Sequence, residues 1–243
     1  MNTGAFLDID GTLFRGSLMI QHFKKLIKYE VIDPVVWHNQ VKNTYAEWKR
    51  RKGFYEDYLE ELAEIYIKEL KGTKISNLEF VNNQVINLSG DIVYRYTRHI
   101  VNYHLEKDHK VFFISGSPEF LVKKMAEKYN VTDFKGSKYL LDDSGHFTGE
   151  VIKMWQSNNK EKVLNQFVNN YNIDLEKSYS YGDTQGDYSM LKMTGNPIAF
   201  NPNYDLLTAI KNEEGLKNKA KVIIERKDNI YKVNPDIEIL SID

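Results

Sequence analysis

The stretch AFLDIDGT at residues 5–12 decides how this chain folds. Its three leading apolar residues are typical of a short buried strand, and two aspartates follow where that strand ends. Were the strand to continue, alternation would put the side chains of Asp8 and Asp10 on one face. Gly11 allows a sharp turn that keeps both carboxylates at the edge of the sheet. Two neighbouring carboxylates repel each other unless a cation lies between them, which predicts a site for Mg²⁺, an ion that prefers oxygen ligands.

Other short apolar runs have the character of buried strands, at residues 111–114, 179–181, 197–200 and 222–224. Segments with helical spacing lie between most of them. Strands that alternate with helices predict an α/β fold, with a Rossmann-like parallel sheet flanked by helices. Functional groups in such folds gather at the carboxyl ends of the strands. The runs at 111–114 and 179–181, like the first, are followed at once by polar residues and glycine.

Between about residues 15 and 95 the pattern changes to one helix after another, with three stripes of apolar residues at helical spacing. The stripes run from Met19 to Ile27, from Trp37 to Trp48 and from Tyr55 to Leu70. We therefore expect residues 15–94 to form an all-helical domain inserted after the first strand. Residues 1–14 and 95–243 are then expected to form the α/β core, with a hairpin turn at residues 142–145.

Ser115 and Gly116 follow the run at 111–114, directly before a segment that begins as a helix. A hydroxyl and free backbone N–H groups at a helix N-terminus form a ready anion site. Ser117 is expected to cap this helix and Pro118 to take its first position. Capping explains Ser117 and Pro118 without any function, but it does not explain Ser115.

Lys160 begins an amphipathic helix that continues through Val163, Leu164 and Phe167. A lysine at this end opposes the helix dipole, which is mildly unfavourable unless an anion lies nearby. Lys160 is therefore the candidate cation of the site, with Lys162 and, less strongly, Lys153 as alternatives.

Asp183 follows the run at 179–181 and could complete a metal site with Asp8 and Asp10. Asp187, four residues later, would be a further ligand or would orient one through hydrogen bonds. An ordinary loop with a helix cap is the alternative explanation of these two residues.

The composition limits the classes of function that remain. With 33 Lys and Arg against 34 Asp and Glu, the formal charge is −1, so there is no general attraction to nucleic acid or anionic membranes. The absence of cysteine excludes disulfides and thiolate chemistry. The first residues lack the pattern of a secretory signal, and no window has the roughly 18 to 20 apolar residues of a membrane span. We expect a cytoplasmic protein without stable membrane insertion.

Taken in order, these four sites resemble the motifs of the haloacid dehalogenase superfamily, a match that extends along nearly the whole chain. The position and helical character of the insertion resemble subfamily IB, the phosphoserine-phosphatase-like branch. The matching residues are Asp8, Asp10, Gly11 and Thr12, then Ser115 and Gly116, then Lys160, then Gly182, Asp183 and Asp187. The resemblance implies a phosphatase that uses Mg²⁺ and acts on a small phosphorylated metabolite through an aspartyl-phosphate.

The resemblance also implies a role for each matching residue. Asp8 would be the nucleophile, and Asp10 would donate and then accept the proton. Mg²⁺ would bind the side chains of Asp8 and Asp183 and the backbone carbonyl of Asp10, with Asp187 in support. The phosphoryl oxygens would be held by Lys160 and Ser115 with Gly116. Gly11 and Thr12 would shape the loop that follows the nucleophile.

The choice of substrate stays open in the sequence. Phosphoserine phosphatases carry a Glu in the insertion where this chain has Ser17, and they usually have Asn where this chain has Gly186. These differences favour another small phosphomonoester over phosphoserine itself. A phosphotransferase with the same aspartyl-phosphate chemistry, or a binding module that no longer catalyses, are the alternatives.

Overall fold

A computed structural model of the chain describes residues 1–53 and 55–240. Its strands are β1 (Gly4–Leu7), β2 (Lys110–Pro118), β3 (Asp133–Leu141), β4 (Phe147–Ile152), β5 (Tyr179–Gly182), β6 (Asn196–Phe200), β7 (Lys221–Arg226) and β8 (Asn229–Val233). Its α-helices are α1 (Leu18–Lys28), α2 (Pro34–Val36), α3 (Lys42–Lys49), α4 (Tyr55–Leu70), α5 (Glu79–Ser89), α6 (Arg95–Glu106), α7 (Glu119–Tyr129), α8 (Ser157–Tyr171), α9 (Tyr188–Met193), α10 (Tyr204–Asn212) and α11 (Glu214–Lys219).

Strand β1 lies inside the sheet, between the parallel strands β2 and β5. The order of these strands across the sheet is β3-β2-β1-β5-β6-β7-β8. Neighbouring strands in this order are parallel, except that β8 is antiparallel to β7. All four residues of β1 are buried, as expected for a central strand of a parallel sheet. The predicted α/β fold with a parallel sheet flanked by helices is confirmed.

The helices cover the sheet with aromatic and aliphatic side chains. Phe6 of β1 stacks on Phe112 of β2 with ring centroids 5.0 Å apart, and Phe112 stacks on Phe167 of α8 at 4.8 Å. Helices α10 and α11 bury Leu206 and Leu216 in a second cluster. Each of these large side chains is almost fully buried, so each contributes about 2 kcal/mol through the hydrophobic effect.

The chain divides into two compact units. The first contains residues 1–16, 92–137 and 153–243, and it holds the parallel sheet. The second contains residues 17–91 and 138–152. This division differs from the predicted one, because the hairpin of β4 and the end of β3 joins the helices of the second unit. That unit is therefore not purely helical.

Contacts inside the second unit explain why the hairpin belongs there. The rings of Tyr66 in α4 and Tyr139 in β3 meet edge to face with centroids 5.7 Å apart. The backbone N–H of Gly72 donates to the carbonyl of Phe147 at 2.8 Å, and the N–H of Phe147 donates to Thr73 at 3.0 Å. The turn itself forms where it was predicted, with Gly145 donating to Asp142. No local sequence pattern reports such distant contacts.

Two further details of the second unit refine the sequence interpretation. The stripe from Trp37 to Trp48 is not one helix, because a turn of π-helix at Trp37–Val41 separates α2 from α3. Ser17 caps α1, its side chain accepting a hydrogen bond from the N–H of Ile20 at 3.4 Å. Its hydroxyl thus satisfies one of the free N–H groups at the start of that helix.

Helix α6 is capped by a residue distant in sequence. The carboxylate of Glu225 in β7 accepts hydrogen bonds from the backbone N–H groups of Arg95 at 3.0 Å and Tyr96 at 2.9 Å. We expect Glu225→Ala to lower the free energy of unfolding by about 1 kcal/mol, because it leaves those N–H groups to water and removes a negative charge from the helix N-terminus. Urea unfolding of the variant against the parent protein measures this difference.

Glu225→Gln is the matched control for that experiment. It loses the charge and one of the two acceptor oxygens but keeps the other, so its loss of stability should be smaller than that of Glu225→Ala. Equal stability of all three proteins would contradict the capping role.

Among the described residues, no helix is both long and apolar enough to span a bilayer.

Candidate active site

The nucleophile candidate, Asp8, is held at the end of β1 by the neighbouring strand. Its backbone N–H donates to the carbonyl of Tyr181 in β5 at 3.0 Å, and the residue is 5 % exposed. The chain then turns at Gly11, which has a φ of +83°. A Cβ atom at this position would overlap the carboxylate of Asp183. Glycine is therefore required here both by the backbone conformation and by the approach of that side chain.

Lys160 connects two carboxylates inside the site. Its Nζ lies 2.7 Å from Oδ1 of Asp8 and 2.6 Å from Oδ1 of Asp187. Lys160 stands in the first turn of α8 on the same buried face as Val163 and Leu164. The apolar stripe of the helix thus carries the lysine into the protein, where it is only 3 % exposed. Lys162 and Lys153, the alternative candidates, are exposed.

Asp187 organises the loop that follows β5. Its Oδ2 accepts hydrogen bonds from the backbone N–H groups of Asp183 at 3.0 Å and Thr184 at 3.1 Å. Since its other oxygen accepts from Lys160, both oxygens of Asp187 have partners within the protein. This favours an orienting role for Asp187 over that of a direct ligand. Asp183 is oriented in turn by Thr12, whose hydroxyl donates to its Oδ1 at 3.0 Å.

The electrostatic state of the site follows from burial. Burial raises the pKa of Asp8 to about 8, with Lys160 opposing the shift and Asp187 and Asp10 adding to it. Burial also raises the pKa of Asp183 well above its usual range, helped by the charges of Asp8 and Asp187. Burial alone would lower the pKa of Lys160, but the two carboxylates outweigh it and raise that pKa. Lys160 therefore stays charged, while Asp8 and Asp183 resist ionisation.

The acidic side chains are arranged so that a divalent cation would offset the cost of ionising them in a buried site. One carboxylate oxygen each of Asp8, Asp183 and Asp187 lie within 4.8 Å of one another. Lys160 brings one positive charge to a group that carries up to three negative ones. Hard oxygen ligands in a buried, electron-rich group fit Mg²⁺, so the residues present suit the predicted ion. The carboxylate of Asp10, which the residue pattern alone predicted as a metal ligand beside Asp8, is not part of this group. The family resemblance implied the backbone carbonyl of Asp10 as the ligand instead.

The residues that lead from β2 into α7 differ from their prediction in two respects. Helix α7 begins at Glu119 with Pro118 as its N-cap, so Ser117 does not cap it and Pro118 is not its first residue. Instead the hydroxyl of Ser117 donates to Oδ2 of Asp10 at 2.5 Å. The reason is that β2 continues to Pro118, which keeps Ser117 in extended backbone and turns its side chain towards the neighbouring strand end.

Ser115 and Gly116 are fixed within the same segment. The Ser115 hydroxyl oxygen accepts a hydrogen bond from the N–H of Ser117 at 3.2 Å. The carbonyl of Gly116 accepts from the hydroxyl of Ser137 at 2.6 Å, and a Cβ at Gly116 would lie only 3.0 Å from Cβ of Trp155. Because a hydroxyl both accepts and donates, Ser115 keeps its own proton for an incoming anion.

The structure thus brings Asp8, Asp183, Asp187 and Lys160 into one group and sets Asp10 and Ser115 beside it through Ser117. Sequence reasoning missed the roles of Ser117 and Thr184. A signal for Ser117 was present, because residues two apart on an extended strand share a face, and Ser115 was already assigned to the site.

Comparison with known proteins identifies relatives of this chain. The family model described as haloacid dehalogenase-like hydrolase matches residues 5–192. The "Inhibition of morphological differentiation protein" of Streptomyces azureus is 24% identical over 203 residues, covering 83% of this chain and 72% of that protein. A "Histidinol-phosphatase" of Neisseria meningitidis serogroup C is 24% identical over 215 residues, covering 85% of this chain and 93% of that protein.

Among solved structures, one described as a phospho-aspartyl intermediate analogue of phosphoserine phosphatase has a TM-score of 0.60 and 22% identity. The similarity covers 93% of this chain and 95% of that one, and it shows a shared fold. Because the family model extends from the first strand to the end of the site, the chain belongs to the haloacid dehalogenase-like hydrolase family.

Proposed function

We propose that this protein is a Mg²⁺-dependent phosphatase that hydrolyses a small phosphomonoester through an aspartyl-phosphate on Asp8. The observation that carries the proposal is the ion pair of Lys160 with Asp8 and Asp187, 2.7 Å and 2.6 Å long, beside the carboxylate of Asp183. A lysine and a cation site on either side of one aspartate form a receptor for a phosphate dianion. The names of the histidinol-phosphatase and the phosphoserine phosphatase cited above are consistent with this chemistry.

In the first step, an oxygen of Asp8 attacks phosphorus as the bond from phosphorus to the leaving oxygen breaks. Asp10 gives its carboxyl proton to that oxygen, so the alcohol leaves neutral. Lys160 and the Ser115 hydroxyl donate to the phosphoryl oxygens and stabilise the charge that is spread over them. The product of the step is an acyl phosphate on the Asp8 carboxyl group, together with the free alcohol.

In the second step, water attacks phosphorus and the bond between phosphorus and Asp8 breaks. Asp10, now a carboxylate, takes a proton from the water, which restores its acid form and releases inorganic phosphate. Dividing the hydrolysis in two replaces one slow reaction by two faster ones.

Mg²⁺ would be held by Asp8, Asp183 and the backbone carbonyl of Asp10, with Asp187 orienting the group. When bound, it supplies the positive charge that keeps Asp8 ionised next to an anionic substrate. The raised pKa of Asp8, which burial brings to about 8, is the feature of this chain that calls for such an ion.

The experiment that tests the proposal is phosphate release from a panel of small phosphomonoesters, with and without Mg²⁺. The panel should include phosphoserine and histidinol phosphate, because two of the proteins compared above are named as phosphatases of these compounds. Sugar phosphates, nucleoside monophosphates and phosphorylated lipid head groups complete it. Release that requires Mg²⁺ supports the proposal, and the ranking within the panel identifies the substrate class. Substrate turnover that rises with added alcohols while phosphate release does not would indicate a phosphotransferase. No turnover of any ester by folded, metal-loaded protein would contradict both activities.

A further inference from the structure

Ser117 makes a contact with the proton-transfer residue that the established family motifs do not explain. Its hydroxyl donates to Oδ2 of Asp10 at 2.5 Å. Ser117 is only 2 % exposed, whereas Asp10 is more open to solvent. The serine therefore holds the carboxyl group from its protein side.

The backbone around Ser117 is fixed closely enough to aim this hydroxyl. The pairing of β2 with β3 shifts register between Ile114 and Pro118, an irregularity that redirects side chains. The N–H of Ser117 donates to the hydroxyl of Ser115 at 3.2 Å. On the other side, a Cβ at Gly136 of β3 would lie 2.8 Å from the carbonyl oxygen of Ser117, so β3 packs directly against it.

Orientation matters for a group that must pass one proton in each direction. The Asp10 carboxyl has to direct the same edge at the leaving oxygen in the first step and at water in the second. A hydrogen bond to Oδ2 fixes the plane of the carboxyl group. This hydrogen bond does not determine whether the proton moves to the leaving oxygen or from water. The other groups of the site determine that.

We propose that Ser117 is a positioning residue, which orients the Asp10 carboxyl group for proton transfer to the leaving oxygen and from the attacking water. The proposal rests on the proposed phosphatase function. It goes beyond that function in assigning a role to a residue outside the four motifs. A serine that only stabilised the fold would affect all substrates alike, and this difference makes the role testable.

The test compares Ser117→Ala with the parent enzyme on two esters in the presence of Mg²⁺. An alkyl phosphate has a poor leaving group that needs a proton, whereas p-nitrophenyl phosphate has a good one that does not. For the alkyl ester, the first turnover of the variant should slow about 10-fold with little change in KM. For the aryl ester, the first release of p-nitrophenolate should be unchanged and later turnovers slow, giving a burst equal to the enzyme concentration.

Two further variants separate positioning from general damage. Ser117→Thr keeps the hydroxyl and should restore the parent behaviour with the alkyl ester. Ser178→Ala is the matched control, because Ser178 is also buried and also donates through its hydroxyl, here to the backbone of Asp174 at the other end of β5. With Ser178→Ala, the ratio of the first-turnover rates for the alkyl and aryl esters should equal that of the parent enzyme.

A double-mutant comparison tests whether Ser117 acts through Asp10. In an Asp10→Asn background, Ser117→Ala should cause no further loss of turnover, since residues that act as a unit are not additive. Equal slowing of the first turnover for both esters, or full additivity with Asp10→Asn, would overturn the positioning role. The alkyl ester is taken from those that the parent enzyme hydrolyses. If the parent enzyme shows no Mg²⁺-dependent turnover of any ester in the panel, the phosphatase function is wrong and the role of Ser117 fails with it.

Discussion

The Asp8→Asn protein is expected to fold and to lose its phosphatase activity by at least about 10⁴-fold, as the removal of a nucleophile does in other enzymes. The asparagine amide cannot attack phosphorus to form the aspartyl-phosphate, although it occupies nearly the same volume as the carboxyl group. The measurement is phosphate release under saturating Mg²⁺, with the parent protein at equal concentration. Activity near that of the parent would rule out the aspartyl-phosphate mechanism.

The same variant carries a second expectation, for stability without metal. Burial raises the pKa of Asp8 to about 8 in the folded protein, above the value of about 4 for an unfolded chain. Between these two pH values the folded parent protein therefore binds more protons than the unfolded chain does. Its free energy of unfolding falls as pH rises from about 4 to about 8. Asp8→Asn lacks this titrating group, so its free energy of unfolding should fall less over that window. Urea unfolding in EDTA at pH 5 and pH 8 measures the difference, and identical pH dependence of the two proteins would contradict the assignment.

Lys160→Met is expected to have the second large effect, on activity and stability together. The change keeps the length of the side chain but removes the charge that pairs with Asp8 and Asp187 at 2.7 Å and 2.6 Å. Breaking a buried pair in this way costs about 3–5 kcal/mol, because it leaves uncompensated charge in the interior. Turnover should fall about 10² to 10³-fold through the loss of a donor to the phosphoryl group.

Lys162→Met is the matched control for that variant. Lys162 stands two residues along the same helix, but it is exposed, so its removal should change neither turnover nor stability by a measurable amount. The stability loss of Lys160→Met should also grow as pH rises, because Asp8, whose pKa burial already raises, must then ionise without its partner. Equal effects of the two variants, measured by urea unfolding and by phosphate release, would contradict the role of Lys160.

The sequence predicted the fold well where the signal was local. The short apolar runs located β1, β2, β5, β6 and β7, because a strand buried on both faces consists almost wholly of apolar residues. Lys160 was predicted from its position at the start of α8, with Lys162 as an alternative, and the structure buries Lys160 on the apolar stripe of that helix. The carboxyl ends of parallel strands meet at one edge, and that rule brought Asp8 and Asp183 together from distant parts of the chain.

Features that depend on distant contacts were not predicted. The hairpin at β4 joins the second unit because Tyr139 packs on Tyr66, and nothing within the hairpin reports that partner. Strand β8 was missed because an edge strand such as this one is mostly exposed and lacks an apolar pattern. Ser117 was taken for a cap because its local sequence suits one. Because β2 continues through this residue, the Ser117 hydroxyl donates to Asp10 and not to the helix N-terminus.

The position of β1 between β2 and β5 also bears on how the molecule is made. Gly4 pairs with Lys110, and Ala5 pairs with Tyr179, so during synthesis β1 waits for two partners that are made much later. Contacts of such long sequence separation fold slowly, because the intervening chain must be ordered first. The backbone N–H of Asp8 finds its own acceptor only when Tyr181 has emerged. A chain that stops before residue 179 would therefore carry Asp8 without the β5 strand that holds its backbone.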